Sequence, residues 1–387
     1  MNFAARTQTL KPEGAYDVLA RAQALEALGH NIVHLEIGEP DFDTPANIGQ
    51  AAAEAIQAGK THYNPSAGIG PLREVIAQDA GQRRGISVRP SQVVIGPGAK
   101  PSLFFPTLAL VNPGDEVIYP DPGFPTYRMM IDVAGGVPVP VPLLEANGFS
   151  FDLEAFDRAI SPRTRMIIFN SPGNPTGGVM PKADLEHIAA AALEHDIWVL
   201  ADEIYSRIVF DGRHVPSIAS LDGMLERTIL LDGFSKTYAM TGWRLGYGIM
   251  PEPLAEKVSL LLNHSVGCTA MFTQVAGIEA VTGPQEPAEE MVAEFQRRRE
   301  VIVDGLNRLP GFRCRKPEGT FYAFPNMEGT GLTCEDLANR FLEGGVALLP
   351  GTAFGRHGAG FLRLSFANST ENIHLALERM EKVLRDR

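Results

Sequence analysis

Lys236 could do chemistry if its surroundings lower the pKa of its amine. It follows a short apolar run, Thr228–Leu231, which predicts a buried strand, and Asp232-Gly233, which predicts a turn. A lysine just beyond a buried strand stands where open α/β sheets bind their ligands. A desolvated pocket and a nearby cation such as Arg244 would both lower its pKa, as a nucleophilic amine requires. Lys236 is therefore a candidate nucleophile, and a solvated loop lysine is the alternative.

Two glycine- or proline-containing turns elsewhere in the chain also carry groups that could bind a ligand. Gly98-Ala99-Lys100 lies between a predicted strand and a predicted helix, where backbone N–H groups and the helix dipole favour an anion. Asn174 follows the predicted strand Arg165–Phe169 and offers an amide donor to a ring hydroxyl or phenolate. Taken alone, Gly98-Ala99-Lys100 is better explained as a plain structural turn, whereas a turn accounts for the prolines and glycines around Asn174 but not for the asparagine itself.

Asp202 supplies the carboxylate of this set. It comes directly after the predicted strand Ile197–Ala201, and a carboxylate at the end of a buried strand is costly unless it is paired. A protonated ring nitrogen would be such a partner, whereas a helix N-cap is the structural alternative. An amine that forms a Schiff base, a carboxylate for a pyridinium, an amide for a phenolate and a phosphate cup together indicate pyridoxal phosphate.

The elements that must position these residues alternate between strand and helix from about residue 93 to residue 249. This alternation predicts an α/β fold with a mostly parallel sheet covered by helices on both faces. The pattern changes near residue 284, after which shorter strands mix with helices. We therefore expect a large cofactor-binding domain over residues 46–284. We expect a smaller α+β domain from residues 1–45 together with 285–387, closing over the active site.

Composition excludes several classes of function. The 387 residues carry a net charge of −12 without a Lys/Arg-rich run, which argues against nucleic acid or an anionic membrane as a partner. The start of the chain lacks a signal-peptide core, and no apolar run is long enough to span a membrane. The three cysteines lack metal-ligand spacing, so we expect no metal site and a reducing, cytoplasmic location.

Four motifs resemble those of the class I/II aminotransferases, which are fold-type I pyridoxal phosphate enzymes. The motifs are Asn174–Gly177 (NPTG), Ala201–Tyr205 (ADEIY), Phe234–Lys236 (FSK) and Gly242–Gly246 (GWRLG). The resemblance is to the aspartate aminotransferase-like branch and runs from Gly38–Phe42 to Phe361–Ser365. It implies a large domain with a seven-stranded-type sheet and a homodimer with shared active sites.

The resemblance also implies roles for the central residues. Lys236 would hold pyridoxal 5'-phosphate as a Schiff base and move the proton during ping-pong transamination. Asp202 would keep the pyridine nitrogen protonated, while Asn174 and Tyr205 would hydrogen-bond the 3'-oxygen of the cofactor. Phe124 would stack on its ring.

The remaining implied contacts involve the phosphate and the substrate. The phosphate would be bound by Ala99, Lys100, Ser235, Arg244 and, from the neighbouring subunit, Tyr63. Arg363 would clamp the α-carboxylate of the substrate, with Asn174 and the backbone of Gly38 beside it. Gly233 stands where many relatives have a phosphate-binding Ser or Thr, so one hydroxyl is missing, and Ser235 is the candidate to replace it.

The leading hypothesis is amino-group transfer between an L-amino acid and a 2-oxo acid. A lyase on the same fold, such as a C–S β-lyase or a cyclopropane-forming synthase, would share the first steps. A cofactor-binding transcription regulator is disfavoured, because only about three dozen residues precede Gly38. In the stretch from Lys11 to Tyr16, Glu13 would disfavour aspartate and Tyr16 would suit neutral or aromatic side chains. Aspartate remains a candidate by its frequency in the family.

Overall fold

The computed structural model describes residues 3–8, 10 and 12–386, so Lys11 and the first two residues lie outside the described part. The helices described are α1 (Ala5–Gln8), α2 (Gly14–Glu26), α3 (Ala46–Gln57), α4 (Gly70–Arg84), α5 (Pro101–Leu110), α6 (Thr126–Ala134), α7 (Leu153–Ala159), α8 (Lys182–Glu194), α9 (Phe234–Thr237), α10 (Glu252–Asn263), α11 (Met271–Thr282), α12 (Glu286–Arg308), α13 (Cys334–Glu343) and α14 (Thr370–Arg385). The strands described are β1 (Val33–His34), β2 (Val93–Pro97), β3 (Glu116–Asp121), β4 (Val137–Leu144), β5 (Ser150–Phe151), β6 (Thr164–Asn170), β7 (Trp198–Asp202), β8 (Thr228–Gly233), β9 (Leu245–Ile249), β10 (Tyr322–Ala323), β11 (Val346–Ala347), β12 (Leu349–Pro350) and β13 (Leu362–Ser365).

The main sheet has the order β2-β9-β8-β7-β6-β3-β4-β5 among the described strands. Strands β4, β3, β6, β7 and β8 run parallel, whereas β9 is antiparallel to both β2 and β8. The predicted α/β class with a mostly parallel sheet is confirmed. The sheet has one strand more than the seven expected, because the two-residue β5 pairs antiparallel with β4 at the edge.

Both faces of the sheet are apolar, as its helical cover requires. Along β7, Val199 and Ala201 belong to one hydrophobic cluster, whereas Leu200 between them belongs to another. Successive side chains of a strand point to opposite faces, so the two clusters lie on the two sides of the sheet. This explains why β7 has the continuous apolar sequence from which it was predicted.

The carboxyl ends of the central strands meet at one edge of the sheet. In the strand register, Asn170 at the end of β6 lies opposite Asp202 at the end of β7, and Asp202 lies opposite Leu231 of β8. Helix α9, which carries Lys236, begins directly after β8. The sheet therefore brings the amide, carboxylate and amine segments together, as the sequence predicted.

Two small sheets lie outside the main one. Strands β10, β13 and β12 form an antiparallel sheet that carries Arg363, and β1 pairs in parallel with β11 through Val33 and Val346. The N-terminal segment is thus joined to the C-terminal part of the chain. This pairing is consistent with a small domain built from both ends, and the boundaries at residues 45 and 284 stay a prediction. No helix of the described residues is long and apolar enough to cross a membrane.

Candidate active site

Lys236 is a partly buried amine at the sheet edge. Its Nζ donates a hydrogen bond of 2.6 Å to the backbone oxygen of Gly38 and lies 5.8 Å from the centre of the Phe321 ring. Burial lowers the pKa of Lys236 to about 8, and although Glu39 opposes this shift, the charges of Arg363 and Arg244 add to it. About a tenth of Lys236 is therefore the neutral amine at pH 7, far more than for a lysine of ordinary pKa.

Asp202 is a buried carboxylate that is held from two sides. Tyr127 Oη donates to its Oδ2 at 2.7 Å, and the backbone N–H of Ile204 donates to its Oδ1 at 3.2 Å. Burial raises the pKa of Asp202 to about 6, and the hydrogen bond from Tyr127 limits the rise. At neutral pH Asp202 is mainly ionised, so it can pair with a cation on the ligand side.

Arg363 faces the same region from β13. Its NH1 donates to Asn174 Oδ1 at 3.4 Å, its NH2 donates to the backbone oxygen of Glu36, and its buried Nε has no hydrogen-bond partner among the described residues. The guanidinium lies over the rings of Tyr322, at 4.5 Å, and Phe354, at 5.0 Å. A planar cation held in this way, with a donor unpaired, is suited to a carboxylate.

Two buried tyrosines, Tyr205 and Tyr322, also belong to this site. Tyr205 Oη and Tyr322 Oη lie 3.0 Å apart, and burial raises the pKa of both phenols. The hydroxyl of Tyr322 also occupies the space into which a side chain at residue 38 would project, which explains why Gly38 is needed there. Both tyrosines remain protonated and can donate hydrogen bonds near neutral pH.

A second part of the site is formed around Gly98 and Arg244. The guanidinium of Arg244 fills the space that a side chain at Gly98 would take, and Gly98 has a φ of 85°. Arg244 itself has a φ of 52°, and its NH1 donates 2.7 Å to the backbone oxygen of Thr241. Ser235 is buried in the first turn of α9, and Ala99 precedes α5. The arrangement supplies a cation, a hydroxyl and a helix start, which are suited to an anion.

Three predicted residues have different surroundings from the rest. Lys100 Nζ is paired with Glu13 and lies 5.5 Å from the centre of the Phe124 ring. Phe124 packs edge-on against Tyr127, at 5.7 Å between ring centres. Tyr63 is 95% exposed and so makes little contact with its own chain. The structure brings Lys100 and Phe124 to the site, and leaves Tyr63 outside it.

Sequence reasoning missed Tyr127 and Tyr322. Tyr127 lies one residue beyond the turn that contains Phe124, and its hydroxyl reaches Asp202 only because α6 packs on the sheet. Tyr322 lies on β10 and meets Arg363 through the pairing of β10 with β13. Spacing along the chain gave no signal for either contact.

Comparison with known proteins shows the family of this chain. Residues 30–380 match the sequence model of the family described as aminotransferase class I and II. The chain is 40% identical over its full length to 99% of aromatic-amino-acid aminotransferase 2 of Thermococcus litoralis. It is 41% identical to the aspartate aminotransferase of Pyrococcus abyssi, with 92% of each chain covered.

A solved structure shows the same similarity in three dimensions. The aspartate aminotransferase from Thermus thermophilus with maleate superposes with a TM-score of 0.94 at 38% identity, covering 99% of this chain and 100% of the other. The chain belongs to the class I and II aminotransferases, a family that depends on pyridoxal phosphate. It is an amino acid transaminase, which confirms the leading hypothesis for the reaction.

Proposed function

We propose that this transaminase binds pyridoxal 5'-phosphate covalently at Lys236 and uses the same amine to move the substrate proton. The observation that carries this proposal is the position of Lys236, whose amine has a pKa of about 8 at the sheet edge shared with Asp202. An amine with an ordinary lysine pKa would be protonated and unreactive at neutral pH.

The residues present fit the cofactor. Asp202 offers a buried negative charge for the ring nitrogen, and Asn174 and Tyr205 offer donors for the 3'-oxygen. Arg244, with the backbone at Ala99 and the hydroxyl of Ser235, would hold the phosphate at the space beside Gly98. When bound, the cofactor supplies an electron sink that stabilises negative charge at the substrate Cα.

The chain's own residues then have distinct tasks. Asp202 is kept ionised at neutral pH and holds a proton on the ring nitrogen, while Tyr127 fixes the direction of the carboxylate. Arg363 binds the α-carboxylate of the amino acid and so orients its Cα–H bond. The free amine of Lys236 would take the proton from the substrate Cα and deliver it to C4′ of the cofactor, so that the amino group stays behind on the cofactor.

Glu13 favours substrates without a second carboxylate. It precedes α2, contacts Lys100 Nζ and accepts a hydrogen bond of 3.3 Å from Thr126 Oγ1. Its charge also acts on Lys236 and Arg363, so it is close enough to affect a bound substrate. A distal carboxylate would meet a cation that is already neutralised and a second negative charge, which disfavours it. We therefore expect neutral or aromatic amino acids as the preferred substrates.

A half-reaction assay of the wild type and Glu13→Gln tests this proposal. The near-visible spectrum is followed after addition of L-phenylalanine or L-aspartate alone. We expect wild-type conversion to be faster with phenylalanine, and Glu13→Gln to raise the rate with aspartate about tenfold, because Lys100 is released. Asp17→Asn, which removes an exposed charge from the same helix, should change neither rate.

The outcomes of this assay separate the two parts of the proposal. If the wild-type spectrum changes with neither phenylalanine nor aspartate, nor with any other L-amino acid added in the same way, the catalytic assignment is contradicted. Conversion that favours aspartate, or a Glu13→Gln variant with the selectivity of the wild type, would contradict only the substrate class.

We also propose a homodimer and keep the cytoplasmic location as a prediction. The exposed ring of Tyr63 is available to a second copy of the chain, in line with its expected role at the partner's phosphate. Sedimentation that finds the mass of a single chain would contradict the dimer. The prediction of a reducing compartment is supported by Cys268, Cys314 and Cys334, which are all unpaired thiols.

A further inference from the structure

A buried group of charges lies beside Asp202 and belongs to none of the tasks above. This charge cluster consists of Arg83, Arg84, Glu203, Asp232 and Tyr247. Glu203 directly follows Asp202, and Asp232 lies near the end of β8, four residues before Lys236. The cluster therefore touches both chain segments that carry the proposed cofactor contacts.

Arg84 bridges the two carboxylates of the cluster. Its Nε donates 2.7 Å to Glu203 Oε2, and its NH2 donates 2.8 Å to Asp232 Oδ2. Glu203 and Asp232 are 2% and 3% exposed, so their negative charges are not solvated by water. The bridge joins the segment after β7 to the end of β8 through the last residue of α4.

The other contacts of these carboxylates are filled as well. Tyr247 Oη donates 3.1 Å to Asp232 Oδ2, and Arg83 NH2 donates 3.2 Å to the same atom. The backbone N–H of Gly233 donates 2.7 Å to Asp232 Oδ1, and Ser217 Oγ donates 2.6 Å to Glu203 Oε1. The carboxylate oxygens of the cluster are therefore all paired within the protein, whereas the buried Nη1 of Arg84 has no hydrogen-bond partner among the described residues.

The positive and negative charges of the cluster are equal in number. The neighbouring Asp202 therefore carries a negative charge that no arginine of the cluster balances. Arg83 and Arg84 pair with Glu203 and Asp232, and at the outer side Asp79 pairs with both Arg83 and Arg207, so that three arginines balance three carboxylates. The remaining negative charge on Asp202 matches one positive charge on a ligand. A buried group of this kind is stable only when its charges are paired.

The charges of the cluster affect the pKa of Asp202. After burial and its hydrogen bonds, the charges of Asp232 and Glu203 contribute to the raised pKa of Asp202. Burial alone would raise the pKa of Asp232 too, but Arg83 and Arg84 lower it below its usual value. The other titratable groups facing Asp202 are Tyr127 and Tyr205, whose pKa values are raised by burial and which therefore stay neutral.

We infer that Arg84 is a positioning residue, which keeps Asp202 ionised by neutralising Glu203 and Asp232 beside it. The inference rests on the proposed function, because it gives Asp202 the task of holding a proton on the cofactor ring. Without Arg84, the two buried carboxylates would share Arg83, which Asp79 also engages, and their excess negative charge would favour a proton on Asp202, whose pKa burial has already raised. The ring nitrogen would then lose its partner.

Two variants that change the net charge of the cluster in opposite directions test this inference. The readouts are the pH midpoint of the near-visible absorption of the bound cofactor and the dissociation constant of pyridoxal phosphate. Arg84→Met should raise the midpoint by about 0.5 unit or more, since excess negative charge favours protonated forms. Asp232→Asn should lower it by a similar amount. The double variant should return it to within about 0.2 unit of the wild type.

Tyr247→Phe is the matched control, because it removes a hydrogen bond to Asp232 without changing charge. We expect its midpoint to equal that of the wild type. We also expect Arg84→Met to weaken cofactor binding about tenfold, with recovery in the double variant. If Arg84→Met does not fold, the downward shift of Asp232→Asn and the recovered midpoint of the double variant still decide the question.

A purely structural cluster would give a different pattern. Both single variants would then lose stability, without midpoint shifts of opposite sign. That result would overturn this inference and leave the proposed function standing. A wild-type protein without a near-visible band would overturn the proposed function and this inference with it.

Discussion

Lys236→Ala should remove transamination activity while leaving the protein folded. The variant loses the amine that holds the cofactor and the base that moves the substrate proton, so we expect turnover to fall by roughly 10⁴-fold or more. Folding should be retained, because the amine has a pKa of about 8 and its burial is a cost that alanine removes. Steady-state assays and a thermal unfolding curve measure the two effects.

The matched control for this variant is Lys182→Ala. Lys182 makes an exposed ion pair with Glu186 at 3.4 Å within α8, and pairs of this kind contribute little. Its activity and Tm should equal those of the wild type. Turnover in Lys236→Ala within tenfold of the control would show that another group performs the proton transfer.

Arg363→Leu should weaken the use of α-amino acids by about 30-fold or more in kcat/KM, mainly through KM. The substrate carboxylate would enter a buried place without its counter-charge, and losing one partner of such a pair costs about 2–5 kcal/mol. The guanidinium is buried and donates to Asn174, so leucine at this position leaves a buried site without its positive charge. Steady-state kinetics with the preferred amino acid give the size of the loss.

A comparison of substrates separates the clamp from a general loss of structure. The wild type should strongly prefer L-phenylalanine to 2-phenylethylamine, which lacks the carboxylate, whereas Arg363→Leu should discriminate weakly between them. Arg363→Lys, which keeps the charge but not the planar fork, should lie between the two. An unchanged preference in Arg363→Leu would contradict the clamp.

The central sheet could be predicted from the sequence because its strands are buried on both faces. The run Ile197–Ala201 is continuously apolar, and the polar pair Asp202-Glu203 that follows it stands out. The two-residue β5 carries no such pattern, and it was missed because its place depends on the preceding strand. Short strands of this kind are formed by tertiary pairing.

The site, too, could be predicted from the sequence only in part. Asp202, Asn174 and Lys236 follow strands of one sheet, so topology alone brings them together. Tyr127 and the arginines of the charge cluster lie on helices, and nothing in their spacing indicates which strand they reach. Arg83 and Arg84 resemble a solvated helix end before Gly85, and only the packing of α4 shows that Arg84 is buried.

Covalent trapping of the cofactor tests the central claim most directly. The purified protein is treated with borohydride, digested, and its peptides are searched by mass spectrometry for a reduced pyridoxal phosphate adduct. We predict one adduct, on the peptide that contains Phe234-Ser235-Lys236, and its absence from Lys236→Ala. An adduct on another lysine, or none in a protein that transaminates, would contradict the assignment of Lys236.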